Sequence, residues 1–142
     1  MRPWFRNQTK RLVKSPKLHY LDIGVQHAIL QKQGGLTGNE FESAVVAEIF
    51  KQASYLQYPA SFYHLRTLDG KEVDLLIETE KGYYAIEVKM TINAGTRDTR
   101  HLSGLASFLD KPLLASFVLS NDPVVKKLGE NITAIPVAMF LT

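Results

Sequence analysis

Apolar side chains recur at helical spacing between residues 39 and 55, where Phe41, Ala44, Val45, Ile49 and Ala53 fall on one broad face. Asn39 is placed to cap this helix, and Pro59 stands beyond its end. The period then drops to two. Residues 61–66, 73–78 and 83–89 are rich in aromatic and branched side chains and are separated by Asp69-Gly70 and Lys81-Gly82. Those turns are too short for a helical crossover, so the three strands form an antiparallel meander. Helical spacing returns over residues 101–109 in Leu102, Leu105, Phe108 and Leu109, and Pro112 closes it. Residues 113–119 predict a strand buried on both faces, 124–128 one or two helical turns, and 132–140 a last strand. Upstream, residues 18–23 read as a short strand or extended lead-in. A short helical stretch over 26–33 is broken by Gly34-Gly35. The whole predicts an α/β fold: one domain over 1–142, with a central mixed sheet, an antiparallel meander within it, and flanking helices.

Composition narrows this picture. A chain of 142 residues, 45% of them hydrophobic, fills one compact core and not two. The absence of cysteine excludes a disulfide framework, a thiolate zinc site and a cysteine nucleophile. The longest apolar runs, such as 134–141 with Pro136 inside, are far shorter than the roughly 20 residues of a membrane helix. The start, with Arg2, Trp4, Phe5 and Arg6, lacks a secretory signal, so a cytoplasmic protein without membrane contact is expected. Charge is unevenly spread. Arg2, Arg6, Lys10, Arg11, Lys14 and Lys17 lie in the first 20 residues with no acid among them. The net charge of +3 therefore belongs to a basic N-terminal arm, about residues 1–17, on a mildly acidic body. In such an arm, Lys10, Arg11, Lys14 and Lys17 suit a nucleic-acid backbone, positioning it without reading bases.

The candidate chemistry lies in the meander. Glu87 and Lys89 are two apart on a strand and share a face, while Ile86 and Val88 enter the opposite layer. If the second and third strands pair about the turn at residues 80–82, Asp74 comes to lie across from Glu87 to within a residue or two. Two carboxylates and one ammonium on one face invite a hard divalent cation, Mg2+ or Mn2+. Magnesium takes about six oxygens near 2.1 Å. Asp74, Glu87, the backbone carbonyl of Val88, water and a substrate phosphate can supply them. A bound water then becomes a nucleophile, and Lys89 stabilises the developing charge, which is the chemistry of phosphodiester hydrolysis. The alternative is an exposed ion-pair ladder across the strands. Glu42, three residues after Asn39, is placed to close a capping box with it. Arg97, Arg100 and His101 follow the Glu-x-Lys strand, where they reach substrate phosphates or simply open a charged helix. Ser103 and Ser120 have no nucleophile-elbow context.

A helical glutamate, an aspartate and then Glu-x-Lys resemble the PD-(D/E)xK phosphodiesterases, a superfamily that includes restriction endonucleases and Holliday-junction resolvases. The resemblance assigns the catalytic set to Asp74, Glu87, Lys89 and Glu42, with metal held by Asp74 and Glu87. Val73 stands where the superfamily usually has proline. A longer match runs through Lys14-Ser15-Pro16-Lys17-Leu18-His19-Tyr20-Leu21-Asp22-Ile23-Gly24, Gly38-Asn39-Glu40-Phe41-Glu42, the Asp74 and Glu87-Val88-Lys89 block, Ser103-Gly104-Leu105 with Phe108, Leu119-Ser120, and Ile135-Pro136-Val137 through Phe140-Leu141. This series resembles the nuclease-like C-terminal domain found downstream of AAA-type ATPase domains in bacteria and archaea. The resemblance implies a restriction-endonuclease-like fold, cleavage of DNA more readily than RNA, and an ATPase-domain partner or a homodimer. The chain carries no glycine-rich phosphate loop and so no nucleotide site of its own; it reads as a detached or truncated version. The competing expectation is a noncatalytic interaction domain on the same fold.

Overall fold

The computed structural model describes residues 1–4 and 16–142. Lys10, Arg11 and Lys14 lie outside the described residues. The described elements are β1 (Arg2–Pro3), α1 (Ile23–Ile29), α2 (Gly38–Tyr55), β2 (Ser61–Arg66), β3 (Glu72–Glu78), β4 (Tyr83–Val88), β5 (Leu113–Ser120), β6 (Lys126–Gly129), β7 (Ile132–Pro136) and α3 (Val137–Phe140), with 3₁₀ turns at Thr96–Thr99 and Leu105–Phe108. The strands form one mixed sheet in the order β1-β2-β3-β4-β5-β7-β6. The expected meander is one half of it, since β2, β3 and β4 pair antiparallel. The other half is parallel from β4 through β5 to β7, and β6 returns antiparallel on β7. The parallel β4–β5 step needs a long crossover, which residues 89–112 supply.

Alternation along the strands builds two cores. Leu75, Ile86, Val88 and Leu119 face α2 and pack on Val45, Val46 and Ile49. Leu76, Tyr83, Ala85, Val118 and Ala134 face the other way, under Ala94, Leu102 and Leu105 of the crossover. Among the described residues no helix is long and apolar enough to cross a membrane.

Upstream, the helix expected over 26–33 forms earlier, as α1 at Ile23–Ile29, because the Asp22 side chain caps it by accepting the Val25 amide; downstream, three predicted elements differ from what formed. Residues 101–109 hold only a short 3₁₀ turn, because Gly104 adopts a left-handed conformation (φ 70°) that no α-helix passes through. Residues 124–128 do not coil. Val124 and Val125 find no core and stay about half exposed, and Lys126–Gly129 instead satisfies its backbone as strand β6. The strand predicted over 132–140 stops at Pro136, whose missing N–H cannot continue a ladder, and Val137–Phe140 turns into α3.

The basic N-terminal segment is tethered to the sheet at both of its described ends. Arg2 and Pro3 pair with Tyr63 and His64 in parallel. Trp4 is buried (2% exposed), stacks edge-on against Tyr83 and donates its indole N–H to the Tyr83 hydroxyl at 3.1 Å. At the other end the Met1 amine donates to the Lys17 carbonyl at 2.6 Å, and the Lys17 amide donates back to the Met1 carbonyl at 3.1 Å.

Candidate active site

The site is built where α2 begins and where β3 and β4 run side by side. Thr37, and not Asn39, caps α2: its hydroxyl accepts the Glu40 amide, and the Glu40 carboxylate accepts the Thr37 amide at 2.7 Å. Glu40 is clamped further by Lys32 and by His27 at 3.3 Å. The hydrogen bond from Lys32, the Thr37 amide and the Lys32 charge together hold its carboxyl down near 2. The capping box is thus complete without Glu42, whose side chain is left to the cleft.

Strand β3 carries an irregularity at the aspartate. Tyr63 pairs with Leu76 and Leu65 with Val73, so Asp74 and Leu75 together face the single residue His64. This is a β-bulge, a device that re-aims a side chain. Its effect is visible in the packing, because Val73 joins the Leu76 core whereas Leu75, two residues on, enters the α2 core. Across the turn, Leu75 pairs with Ile86, which places Asp74 opposite Glu87. The Val88 amide completes the placement by donating to Asp74 Oδ2 at 2.8 Å.

The result is a polar cleft of about 490 Å³ lined by Lys17, Glu42, Glu72, Asp74, Glu87, Lys89 and His101, with Leu18, Asn39 and Ser43 at its walls. Lys89 Nζ lies 2.6 Å from Glu87 Oε1. Glu87 Oε2 is buried and has no hydrogen-bond partner. Lys17 Nζ lies 2.6 Å from Glu42 Oε1, without hydrogen-bond alignment at that oxygen, 2.9 Å from Glu72 Oε1 and 3.4 Å from Asp74 Oδ1. Burial, followed by the Asp74 charge, pushes the Glu87 carboxyl up to about 8 despite Lys89. Burial and the same Asp74 charge raise Glu42. Burial works against the charge of both lysines, yet the facing carboxylates outweigh it and raise each. Burial also depresses His101, aided by the Arg100 and Lys89 charges, and its Nδ1 accepts the Glu72 amide at 2.6 Å.

The structure therefore brings Asp74, Glu87, Lys89 and Glu42 together in one cleft, with His101 at the rim. Val88 lies between Glu87 and Lys89 with its side chain in the α2 core. Arg97 and Arg100 do not line the cleft; both are exposed on the crossover, and Arg100 contacts His101 Nε2 at 3.1 Å. Lys17, expected on a nucleic-acid-facing arm, instead sits among the carboxylates because the Met1 pairing carries its backbone to the cleft. Glu72, given no role by sequence, shares that lysine. Glu78, on the same parity, is at the far end and pairs with Lys111 at 2.8 Å.

No three aspartate, glutamate or histidine side chains among the described residues form a ready-made metal cage. Magnesium needs less: one or two carboxylates, with waters and substrate completing its shell. The donor set fits that lesser requirement, since Glu87 Oε2 is a buried carboxyl oxygen still lacking a hydrogen-bond partner.

Residues 37–140 match the family model described as Domain of unknown function (DUF4143). The chain belongs to the DUF4143 family. This is a domain found C-terminal to AAA ATPases in bacteria, and the matched span contains α2, the meander, the crossover and β5–β7, hence every cleft residue except Lys17 and Leu18. Among curated proteins this DUF4143 domain is similar to Uncharacterized protein Rv2008c of Mycobacterium tuberculosis and Uncharacterized protein Mb2031c of Mycobacterium bovis. Each is 32% identical over 96 residues, 63% of this chain and 21% of the relative. The chain thus spans about a fifth of the length of the curated relatives it matches. No solved structure matches it.

Proposed function

We propose that this DUF4143 domain binds one divalent cation, Mg2+ or Mn2+, between Asp74 and Glu87 and hydrolyses phosphodiester bonds in nucleic acid, DNA in preference to RNA. The observation that carries the reading is the unpartnered, buried Glu87 Oε2 opposite Asp74 in a polar cleft. Element order supports a restriction-endonuclease-like arrangement: helix, three-stranded meander, crossover, then a strand parallel to the last of the meander. A divalent ion held there would supply Lewis acidity toward a water and the scissile phosphate. Asp74 and Glu87 would hold it, with the Val88 carbonyl as a further ligand. Val88 N–H fixes the Asp74 rotamer through Oδ2. Lys89, held beside the reacting centre by Glu87, stabilises charge on the phosphate oxygens and orients the attacking water. Glu42 supports the water network from the α2 side.

The test is incubation of plasmid, linear and single-stranded DNA, and of RNA, with Mn2+ and either wild type or the variants Asp74→Ala and Glu87→Ala, alongside calorimetric Mn2+ titration. Metal binding and cleavage by wild type that vanish in both variants support the proposal. A wild type that neither binds Mn2+ nor cleaves any substrate overturns it. The second reading is a noncatalytic domain that docks an ATPase or a second copy. It is favoured by an apolar groove of about 570 Å³ between α2 and β2, lined by Leu21, Val46, Phe50, Phe62 and Leu75 among others. On that reading both alanine variants retain partner binding.

A further inference from the structure

The cleft already contains a cation. Lys17 Nζ stands within 3.4 Å of three different carboxylates, Glu42, Glu72 and Asp74, contributed by α2 and β3. Its position is fixed by more than its own flexible stem. The Lys17 amide and carbonyl both bond to Met1, Met1 leads into β1, and Trp4 locks β1 against Tyr83. Asp74 makes the conflict with a metal specific. Its Oδ2 accepts the Val88 amide, and its Oδ1 is the oxygen that Lys17 reaches. An ion bridging Asp74 and Glu87 would use the free Glu87 Oε2 and compete for Asp74 Oδ1. A divalent cation and an ammonium cannot share that oxygen without strong like-charge repulsion in a buried setting.

We propose that Lys17 is an intramolecular counter-ion that holds the acidic cleft in a metal-free state and must withdraw from Asp74 before a divalent cation binds. This rests on the metal-binding reading above. Lys17 keeps these three carboxylates tolerable when no metal is present, and it sets the metal concentration at which the site fills. The N-terminal segment is thereby coupled to metal occupancy, because the backbone that holds Lys17 is paired with Met1.

The experiment is calorimetric Mn2+ titration of wild type, Lys17→Met, which keeps the stem and removes the charge, and Lys17→Arg, which keeps the charge. Lys17→Met is expected to bind Mn2+ at least about tenfold more tightly than wild type, with Lys17→Arg remaining close to wild type. A Glu87→Ala change made in the Lys17→Met background abolishes that binding. Because Lys17→Met leaves carboxylates unpaired and can fail to fold without metal, a second measurement uses folded protein: lysine ammonium NMR during Mg2+ titration. The Lys17 signal, identified by its absence in Lys17→Arg, is expected to shift as the site fills. Equal or weaker metal affinity in Lys17→Met, or an unmoved Lys17 signal at saturating Mg2+, overturns the counter-ion role while leaving the metal site intact. No metal binding by wild type or any variant overturns the metal site itself, and the counter-ion role with it.

Discussion

Glu87 gives the most quantitative prediction. Its carboxyl is 3% exposed and is pushed from an ordinary 4.5 up to about 8 by burial and by the Asp74 charge, so in the folded protein it keeps its proton across a range where the unfolded chain has lost it. The sign follows. Between about pH 4.5 and 8 the native state binds one more proton than the unfolded state, and stability falls as pH rises. Below that window both states are protonated, above it neither is, and the loss levels off. A tenfold change in proton affinity is worth about 1.4 kcal/mol, giving an upper bound on the order of 5 kcal/mol at the alkaline plateau. Glu42 is raised as well, by burial and the Asp74 charge, and its loss runs in the same direction. Glu87→Gln keeps the shape and removes the ionisation. Urea denaturation of wild type and Glu87→Gln at pH 5, 7 and 8.5 is expected to show near-equal stabilities at the acid end and a variant more stable by a few kcal/mol at the alkaline end. Saturating Mn2+ at alkaline pH is expected to raise wild type and leave the variant unmoved. A stability difference that stays flat across the window would refute the claim that burial and the Asp74 charge outweigh Lys89 at Glu87.

The remaining predictions concern the parts that position the site. Thr37→Ala is expected to lower unfolding free energy by about 1 kcal/mol, whereas Asn39→Ala stays within about 0.5 kcal/mol of wild type; thermal melts of the two separate the capping residues. At Gly82, where φ is 152°, an added Cβ would strike the Pro112 carbonyl that Tyr83 uses as its hydrogen-bond acceptor. Gly82→Ala is therefore expected to cost more than about 1 kcal/mol in denaturant titration, an outcome that a neutral result would contradict.

How much of this is legible in the chain depends on the range of the interaction. The meander strands and β5 are readable to within a residue or so, since branched and aromatic runs bounded by Asp69-Gly70, Lys81-Gly82 and Pro112 are local signals. The Asp74 to Glu87 opposition is readable too, because a short turn fixes register, as the Leu75 to Ile86 pairing bears out. The cap on α2 falls at Thr37 and not at Asn39, although its signal is present: Thr37-Gly38-Asn39-Glu40 is itself a capping-box pattern two residues upstream. The bulge is not readable, for nothing in Glu72-Val73-Asp74-Leu75 announces that Val73 and Leu75 part company. Nor is Lys17, which meets Glu42, Glu72 and Asp74 across 25 to 57 positions of chain through a pairing with Met1. Tertiary contacts of that span leave only an undirected excess of positive charge in the first 20 residues.

The kink in the third strand has a meaning for how such a domain tolerates change. A regular strand ties the aim of every side chain to the hydrophobic alternation, so a side chain cannot be redirected without scrambling the interior. One surplus residue at Asp74 and Leu75 breaks that bond between aim and packing. The interior on either side keeps its own rhythm, and the carboxylate answers to the cleft alone. Losing a single amino acid from this stretch would silence the cleft with every acid still written in the chain, which makes the spacing of 73–76 as informative as the letters it contains.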